Sequence, residues 1–271
     1  MIPASVGFQC PECVREGNKS VRTARTLAGG QVPSNPGWVT KIILAVTVGF
    51  FVLQQVPELP VERHLELLGY WPGSDPTGVA AGELWRLLTV ALVHAGFLHI
   101  ALNGYGIWVV GPEIEAAFGR LRFVLLYVVS ALGGGTASYA LNNVVGSSVG
   151  ASGALFGLFG ALIVVSRRLR RDTGPLYVLL GINLVAGFVL PLIDWRGHLG
   201  GLVTGYAVAW IMVHAPRGRR VLVQSAGVAL VVALLAGVVV ARTAQIQQRA
   251  DECRPAFTSA QAAAQCLNEG P

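Results

Sequence analysis

Long apolar runs alternate with short polar segments along most of this chain. Seven of them can be assigned as membrane spans, since crossing a hydrocarbon core of about 30 Å takes roughly 20 helical residues, with some of the seven shorter than this. They are residues 39–56, 87–110, 121–141, 149–165, 176–192, 199–213 and 221–241. Because backbone polar groups must be satisfied inside a bilayer, each run is predicted to be an α-helix. We therefore expect an all-α polytopic membrane protein.

Composition and charge support this prediction and suggest an orientation. Of the 271 residues, 53% are apolar and only 13% charged, about half the charged share of a typical soluble domain. Fourteen of the 20 Lys and Arg residues fall on the side of the N-terminus and six on the other. Because basic residues favour the cytoplasmic side, we expect a cell-membrane protein with a cytoplasmic N-terminus and an extracytoplasmic C-terminus. The net charge of +6 is explained by these basic residues between the apolar runs. The sequence shows no pattern typical of nucleic-acid binding.

The four cysteines fall into two pairs. Cys10 and Cys13 form one CxxC, which is half of a zinc site, and no other Cys or His lies in residues 1–37. Because four ligands are normally needed, we predict no metal site and no cofactor. Cys253 and Cys266 lie in the C-terminal tail, on the side where disulfides form. The sequence leaves open whether they are close enough to pair.

Several polar residues interrupt the apolar runs. They are His94, His99 and Asn103 in the second run, Ser152 in the fourth, and His198 just before the sixth. One interpretation is helix packing, since small residues such as Gly and Ser let membrane helices approach closely. The other is a functional site, since ionisable residues inside a membrane are functional candidates. The second, fourth and sixth helices run in the same direction, which places all of these residues near the outer face.

Their chemistry suggests a serine nucleophile. A serine hydroxyl needs a base to take its proton, and His198 is the histidine at the start of a different inward-running helix. An oxyanion needs hydrogen-bond donors. His99 and Asn103, four residues apart on one helix face, and the Ser152 N–H could supply them. Asp194, four residues before His198, is either a third member of such a group or a solvated loop residue, and its loop position favours the second interpretation.

Glycines explain how the two helices could meet. Gly153 and Gly157 follow the serine with small-xxx-small spacing, and Gly201 and Gly205 repeat this spacing after His198. Helices with such faces approach with their backbones nearly in contact. The packing interpretation of these glycines is compatible with the catalytic one, because close packing is what would bring Ser152 to His198.

Taken together, these residues resemble the motifs of the rhomboid intramembrane serine proteases. Four segments between residues 39 and 213 carry the resemblance: Glu83-Leu-Trp-Arg86, the His94–Asn103 spacing, Gly150-Ala-Ser-Gly153, and His198-xx-Gly201-xxx-Gly205. Two positions depart from the family. Phe156 stands where well-known members have a tyrosine that stacks on the histidine, so stacking is kept but a hydroxyl is lost. Gly197 replaces a common alanine.

The resemblance implies a six-helix core with one extra C-terminal helix. It also implies a Ser152–His198 dyad without an acid, His99 and Asn103 at the oxyanion, and Phe156 stacked on the histidine. The expected substrates are transmembrane proteins, cut near the outer face of the lipid bilayer after a small residue. The segment around Cys10 and Cys13 resembles the end of a zinc segment of some actinobacterial rhomboids, with its front half absent.

The resulting domain prediction has four parts: a cytoplasmic segment 1–37, a protease core 38–214, a seventh helix 215–242 and an extracytoplasmic tail 243–271. Two other functions stay open. One is a catalytically inactive relative that binds transmembrane clients; such relatives usually lack the serine or the histidine, and both are present here. The other is a transporter or channel that uses the same polar cluster as a permeation path, although the internal repeats and paired broken helices of transporters are not visible. Substrate identity and oligomeric state cannot be inferred from the sequence.

Overall fold

The structure, a computed structural model, describes residues 1–20, 24–73, 75–189, 193–257 and 259–269. The long helices are α2 Trp38–Gln54, α5 Phe97–Phe118, α6 Arg120–Leu141, α7 Ser152–Arg168, α8 Gly174–Val189, α9 Trp195–His214 and α10 Arg220–Glu252. The short ones are α1 Pro11–Ser20, α3 Val61–Leu65, α4 Arg86–Thr89 and α11 Ala260–Glu269. Two antiparallel pairs join β1 Ile2–Pro3 to β2 Phe8–Gln9 and β3 Leu67–Leu68 to β4 Ser147–Ser148. The all-α prediction is confirmed.

Most predicted runs coincide with one long helix each. Residues 190–192, the predicted end of the fifth run, lie outside the described residues. So does Arg22, one of the fourteen basic residues counted on the side of the N-terminus. Helix α10 continues to Glu252, so the predicted boundary at residue 242 falls inside it. By length and apolar composition alone, two described helical segments could cross a membrane, Arg120–Leu141 and Arg217–Glu252. A third span is counted if the bent pair Arg86–Leu92 and Phe97–Phe118 is taken as one.

The prediction of one continuous helix over residues 87–110 is wrong. Two helical pieces, Arg86–Leu92 and Phe97–Phe118, meet there at 95°, and His94 lies in the break rather than within a helix. The side chain of Gln54, at the end of α2, explains the break. Its Oε1 accepts from the His94 N–H at 3.0 Å and its Nε2 donates to the His94 C=O at 3.3 Å. These are backbone groups that a continuous helix would have used itself.

Helices α6, α7 and α9 pack against one another through glycines at the centre of the molecule. A Cβ on Gly201 would overlap the carbonyl oxygen of Gly153, and one on Gly205 would overlap the backbone of Gly157. From α6, a Cβ on Gly134 would lie 2.9 Å from the Cα of Gly153. The three helices therefore meet backbone to backbone at these positions, in a way that only glycine permits.

We call the end of α10 together with α11 the C-terminal cap, which is described for residues 243–257 and 259–269. Cys253 and Cys266 are joined in a disulfide, which answers the question that the sequence left open. The cap packs on the loops between the long helices. Asn268 Oδ1 accepts from the Val144 N–H at 3.0 Å, and Gln247 Nε2 donates to the Ala80 C=O at 3.0 Å. Leu267 and Ile246 are buried in the core that these segments share.

We expect Gly201→Ala to destabilise the protein, because its methyl group would collide with backbone that cannot move aside. Overpacking of this kind costs roughly 1–3 kcal/mol. The measurement is the midpoint of unfolding in detergent micelles. Gly237→Ala is the matched control, since a Cβ there on α10 meets no atom within 4 Å. Equal midpoints for the two variants would contradict the close contact of α7 and α9.

We also expect Cys253→Ser to loosen the C-terminal cap. A disulfide closing a loop of 13 residues in sequence separation restricts the unfolded chain by roughly 3 kcal/mol. Amide hydrogen exchange of α11 should therefore speed up in the variant, or in wild type after reduction. The control is Cys10→Ser, which removes a free, exposed thiol. Unchanged exchange in α11 would show that packing alone holds the cap.

Candidate active site

Ser152 is the first residue of α7. The predicted run, 149–165, began three residues earlier and so placed Ser152 about one turn inside the helix. The segment before it is held by the broken second run. The Gly150 N–H donates to the Val90 C=O at 2.9 Å, and the Ala151 N–H donates to His94 Nε2 at 3.3 Å. Gly150 has a φ of +125°, which side chains rarely tolerate. This sharp entry leaves the Ser152 N–H in the first helical turn, where amides have no intrahelical acceptor.

His198 is the fourth residue of α9 and lies in its first turn, because this helix begins at Trp195, four residues before the predicted run 199–213. It is 7% exposed, and its ring stacks on that of Phe156 with centroids 4.1 Å apart and planes 14° apart. Phe156 lies one turn after Ser152 on the same face of α7. The imidazole and the hydroxyl therefore sit beside the same turn of that helix.

No hydrogen bond joins Ser152 to His198, and the buried Nδ1 of His198 has no hydrogen-bond partner. Both residues are within the described part of the chain. Catalytic hydrogen bonds are often long in the absence of substrate and tighten only in the complex. The observed geometry is thus one of close packing between the two helices without a formed proton-transfer contact.

His99, in the first turn of α5, points its ring at the entry to α7. A Cβ on Gly150 would lie 2.7 Å from both Cε1 and Nε2 of His99, and 3.8 Å from Ser152 Oγ. The imidazole nitrogen and the serine oxygen therefore border the same point. His99 Nδ1 accepts from the Ala95 N–H at 3.4 Å, which assigns the ring proton to Nε2. His99 thus presents an N–H donor to the space beside the Ser152 hydroxyl.

Asn103 lies one turn further along α5 and is 4% exposed. Its Nδ2 donates to the His99 C=O at 3.0 Å, and its Oδ1 is buried without a hydrogen-bond partner. An amide nitrogen carries two N–H bonds, and this contact uses one of them. Asn103 therefore supports the backbone of His99 and still has a donor to offer.

The loop before α4 is fixed by Arg86, the second residue of the Trp-Arg pair. Arg86 is 3% exposed, and it donates to Glu83 Oε2 at 2.7 Å and to the backbone C=O groups of Arg63 and Glu66 at 2.8 Å each. Burial acts to raise the pKa of Glu83, but hydrogen bonds from Arg86 and the Gly78 N–H outweigh it and lower the pKa. The same loop carries β3, which pairs with β4 just before Ser152.

Sequence reasoning did not find the role of two residues that shape this site. For Asp194 it left two interpretations open, a third catalytic member or a solvated loop residue, and the structure shows neither: its Oδ1 accepts from the N–H groups of Arg196 and Gly197 at 3.1 and 3.2 Å and caps α9. An Asp directly before a helix is a capping signal, so this role could have been found. Gln54 was not singled out, although a polar residue at the end of an apolar run is a signal of its own.

A small cavity of about 20 Å³ lies beside Ser152, enough for one water. Gly150, Gly153, Asp194 and Gly197 are among its lining residues.

Within the described residues, no group of three or more His, Cys, Asp or Glu side chains could hold a metal ion. The functional groups at the site are therefore a hydroxyl, an imidazole and N–H donors, and acyl transfer to a serine requires these groups.

Known proteins that are similar to this chain indicate its family. A family profile described as Rhomboid domain matches residues 81–215. Rhomboid protease GluP of Bacillus subtilis (strain 168) is 38% identical over 175 residues, which are 63% of this chain and 34% of that protein. The RHOMBOID-like protein 6, mitochondrial, of Arabidopsis thaliana is 36% identical over 178 residues, 62% of this chain and 56% of that protein.

A third relative is matched over most of its length. The putative rhomboid protease YdcA of Bacillus subtilis (strain 168) is 34% identical over 147 residues, 52% of this chain and 74% of that protein. The chain spans a smaller part of the other two, about a third and a half of their lengths. The family profile covers α5 to α9 and, with them, Ser152, His198, His99 and Asn103. Together with the match to YdcA over most of that protein's length, this shows that the chain belongs to the rhomboid family.

Proposed function

We propose that this chain is an intramembrane serine endopeptidase that cleaves transmembrane segments of membrane proteins by a Ser152–His198 dyad. The observation that carries the proposal is the stacking of His198 on Phe156, one turn below Ser152, across a helix contact that has room only for glycine. The names of the relatives, several of which are called proteases, support it.

In this mechanism His198 takes the proton of the Ser152 hydroxyl as the oxygen attacks the scissile carbonyl carbon. The carbonyl oxygen becomes an oxyanion, which accepts hydrogen bonds from His99 Nε2–H, Asn103 and the Ser152 N–H. The imidazolium then gives its proton to the leaving amine, and the peptide C–N bond breaks. A water, deprotonated by His198, hydrolyses the acyl-enzyme and restores the serine.

The proposal includes a place in the membrane. In this proposal residues 38–214 are the protease core of a cell-membrane protein, and α10, which continues to Glu252, is the seventh helix. Residues 1–37 lie in the cytoplasm, and the chain after α10 is an extracytoplasmic tail. The disulfide of the C-terminal cap supports an oxidising compartment on that side. Substrates would be single membrane spans that reach the dyad near the outer face, cut after a small residue.

We expect Ser152→Ala to abolish cleavage of a single-span substrate reconstituted in liposomes, a loss on the order of 10⁴-fold or more. The nucleophile is absent in this variant, and no other group replaces it. Ser225→Ala is the control, because Ser225 lies exposed on α10. Wild type should also react with a fluorophosphonate probe, and the variant should not.

Cleavage that is undiminished in Ser152→Ala would contradict the proposed nucleophile. A wild-type protein that neither cleaves nor reacts with the probe, but still retains a transmembrane client in detergent, would instead be a catalytically inactive binder. Both outcomes are read from the same pair of proteins.

Loss of one oxyanion donor should slow catalysis without preventing substrate binding. We expect His99→Ala and Asn103→Ala each to lower kcat by roughly 10²–10³-fold with KM little changed. For Asn103 the matched control is Asn183→Ala, since Asn183 makes the same bond to a C=O one turn earlier, that of Leu179 on α8. A kcat equal to wild type in either donor variant would remove that residue from the oxyanion site.

A further inference from the structure

Asp194 makes more contacts than helix capping requires. Besides the two N–H groups that its Oδ1 accepts from, its Oδ2 accepts hydrogen bonds from Ser148 Oγ at 2.8 Å and from Ser138 Oγ. Ser138 belongs to α6 and Ser148 to β4. A single, partly buried carboxylate therefore joins three elements of the chain: the start of α9, helix α6, and β4, the strand that comes before α7.

The positions of these partners along the chain give the network its significance. Ser148 lies four residues before Ser152, and His198 lies four residues after Asp194. The His198 N–H also donates to the Asp194 C=O at 3.2 Å. The carboxylate is thus a short bridge between the segment that holds the hydroxyl and the helical turn that holds the imidazole.

The carboxylate makes no hydrogen bond to the imidazole. An ionised carboxylate offers about four lone-pair sites, and its four hydrogen bonds come from Arg196, Gly197, Ser138 and Ser148. The buried Nδ1 of His198 has no partner. Asp194 therefore lacks the contact that the acid of a catalytic triad makes with its histidine.

We propose that Asp194 is a positioning residue that fixes the distance between Ser152 and His198 by tying β4 to the start of α9 through Ser148. This inference rests on the proposed function, since it concerns the same two residues. It assigns the effect to hydrogen-bond geometry and not to the negative charge. It also gives a role to Ser138 and Ser148, which hold the carboxylate from the side of the core.

The test compares two substitutions of Asp194 by kcat and KM for a single-span substrate, and by the rate of fluorophosphonate labelling. Asp194→Ala removes all four bonds and should lower kcat about 10- to 100-fold, the size of effect that a misplacement near 1 Å produces, with KM unchanged. Asp194→Asn should stay close to wild type. An Asn oxygen caps a helix as well as Asp does, and its NH₂ group can donate to both serine hydroxyls.

Two further variants separate positioning from folding. Asp172→Ala is the matched control, because Asp172 Oδ1 accepts from the Gly174 N–H at the start of α8 but touches no element of the site. It should leave kcat unchanged. Ser148→Ala removes the link between β4 and Asp194 but keeps the hydrogen bonds of Asp194 to the start of α9. It should therefore lower kcat even if Asp194→Ala fails to fold. Its effect should not add to that of Asp194→Ala, because both remove the same link.

Each other outcome has one meaning. A wild-type kcat in Asp194→Ala or in Ser148→Ala overturns the bridge. An Asp194→Asn protein as slow as Asp194→Ala shows that charge is what matters, and overturns the geometric role. A wild-type rate no higher than that of Ser152→Ala overturns the proposed function itself, and with it the role of Asp194.

Discussion

The approach of α7 to α9 at a distance that only glycine allows is the constraint on which the site depends. Apolar burial cannot drive helices together in lipid, because lipid tails are as apolar as the helices, so association relies on close packing and on hydrogen bonds. Gly153 and Gly157 against Gly201 and Gly205 supply that packing. The stacking of Phe156 on His198 follows from it, because a wider separation would leave a gap between the two rings.

The reactive groups lie at the ends of helices, and this location explains much of their surroundings. Ser152 begins α7, and His99 and His198 lie in the first turns of α5 and α9. Helix ends expose backbone N–H groups that need partners, and side chains provide them: His94 for Ala151, Asp194 for Gly197. The residues that satisfy the backbone are therefore the same ones that set the geometry of the site.

The sequence predicted the helices well because a bilayer leaves the backbone few alternatives, and α6 begins and ends within one residue of its predicted run. It predicted a site because Ser152 and His198 interrupt apolar runs. The sequence did not predict features of the structure that depend on residues far away along the chain. At the break around His94 the backbone groups bond to Gln54, forty residues earlier, and Asp194 accepts from Ser138, fifty-six residues earlier. Apolar patterns carry no information about such distant hydrogen bonds.

The packing of the elements around the proposed site is uneven. The C-terminal cap covers the loops at Ala80 and Val144 and is closed by a disulfide. In α8, by contrast, only Leu180 and Gly187 are buried, and its end near the site rests on the contact of Phe188 with Trp195. Elements with few buried contacts open at the lowest cost in free energy. Within the described residues, α8 is thus less tightly packed against the rest of the protein than the C-terminal cap is.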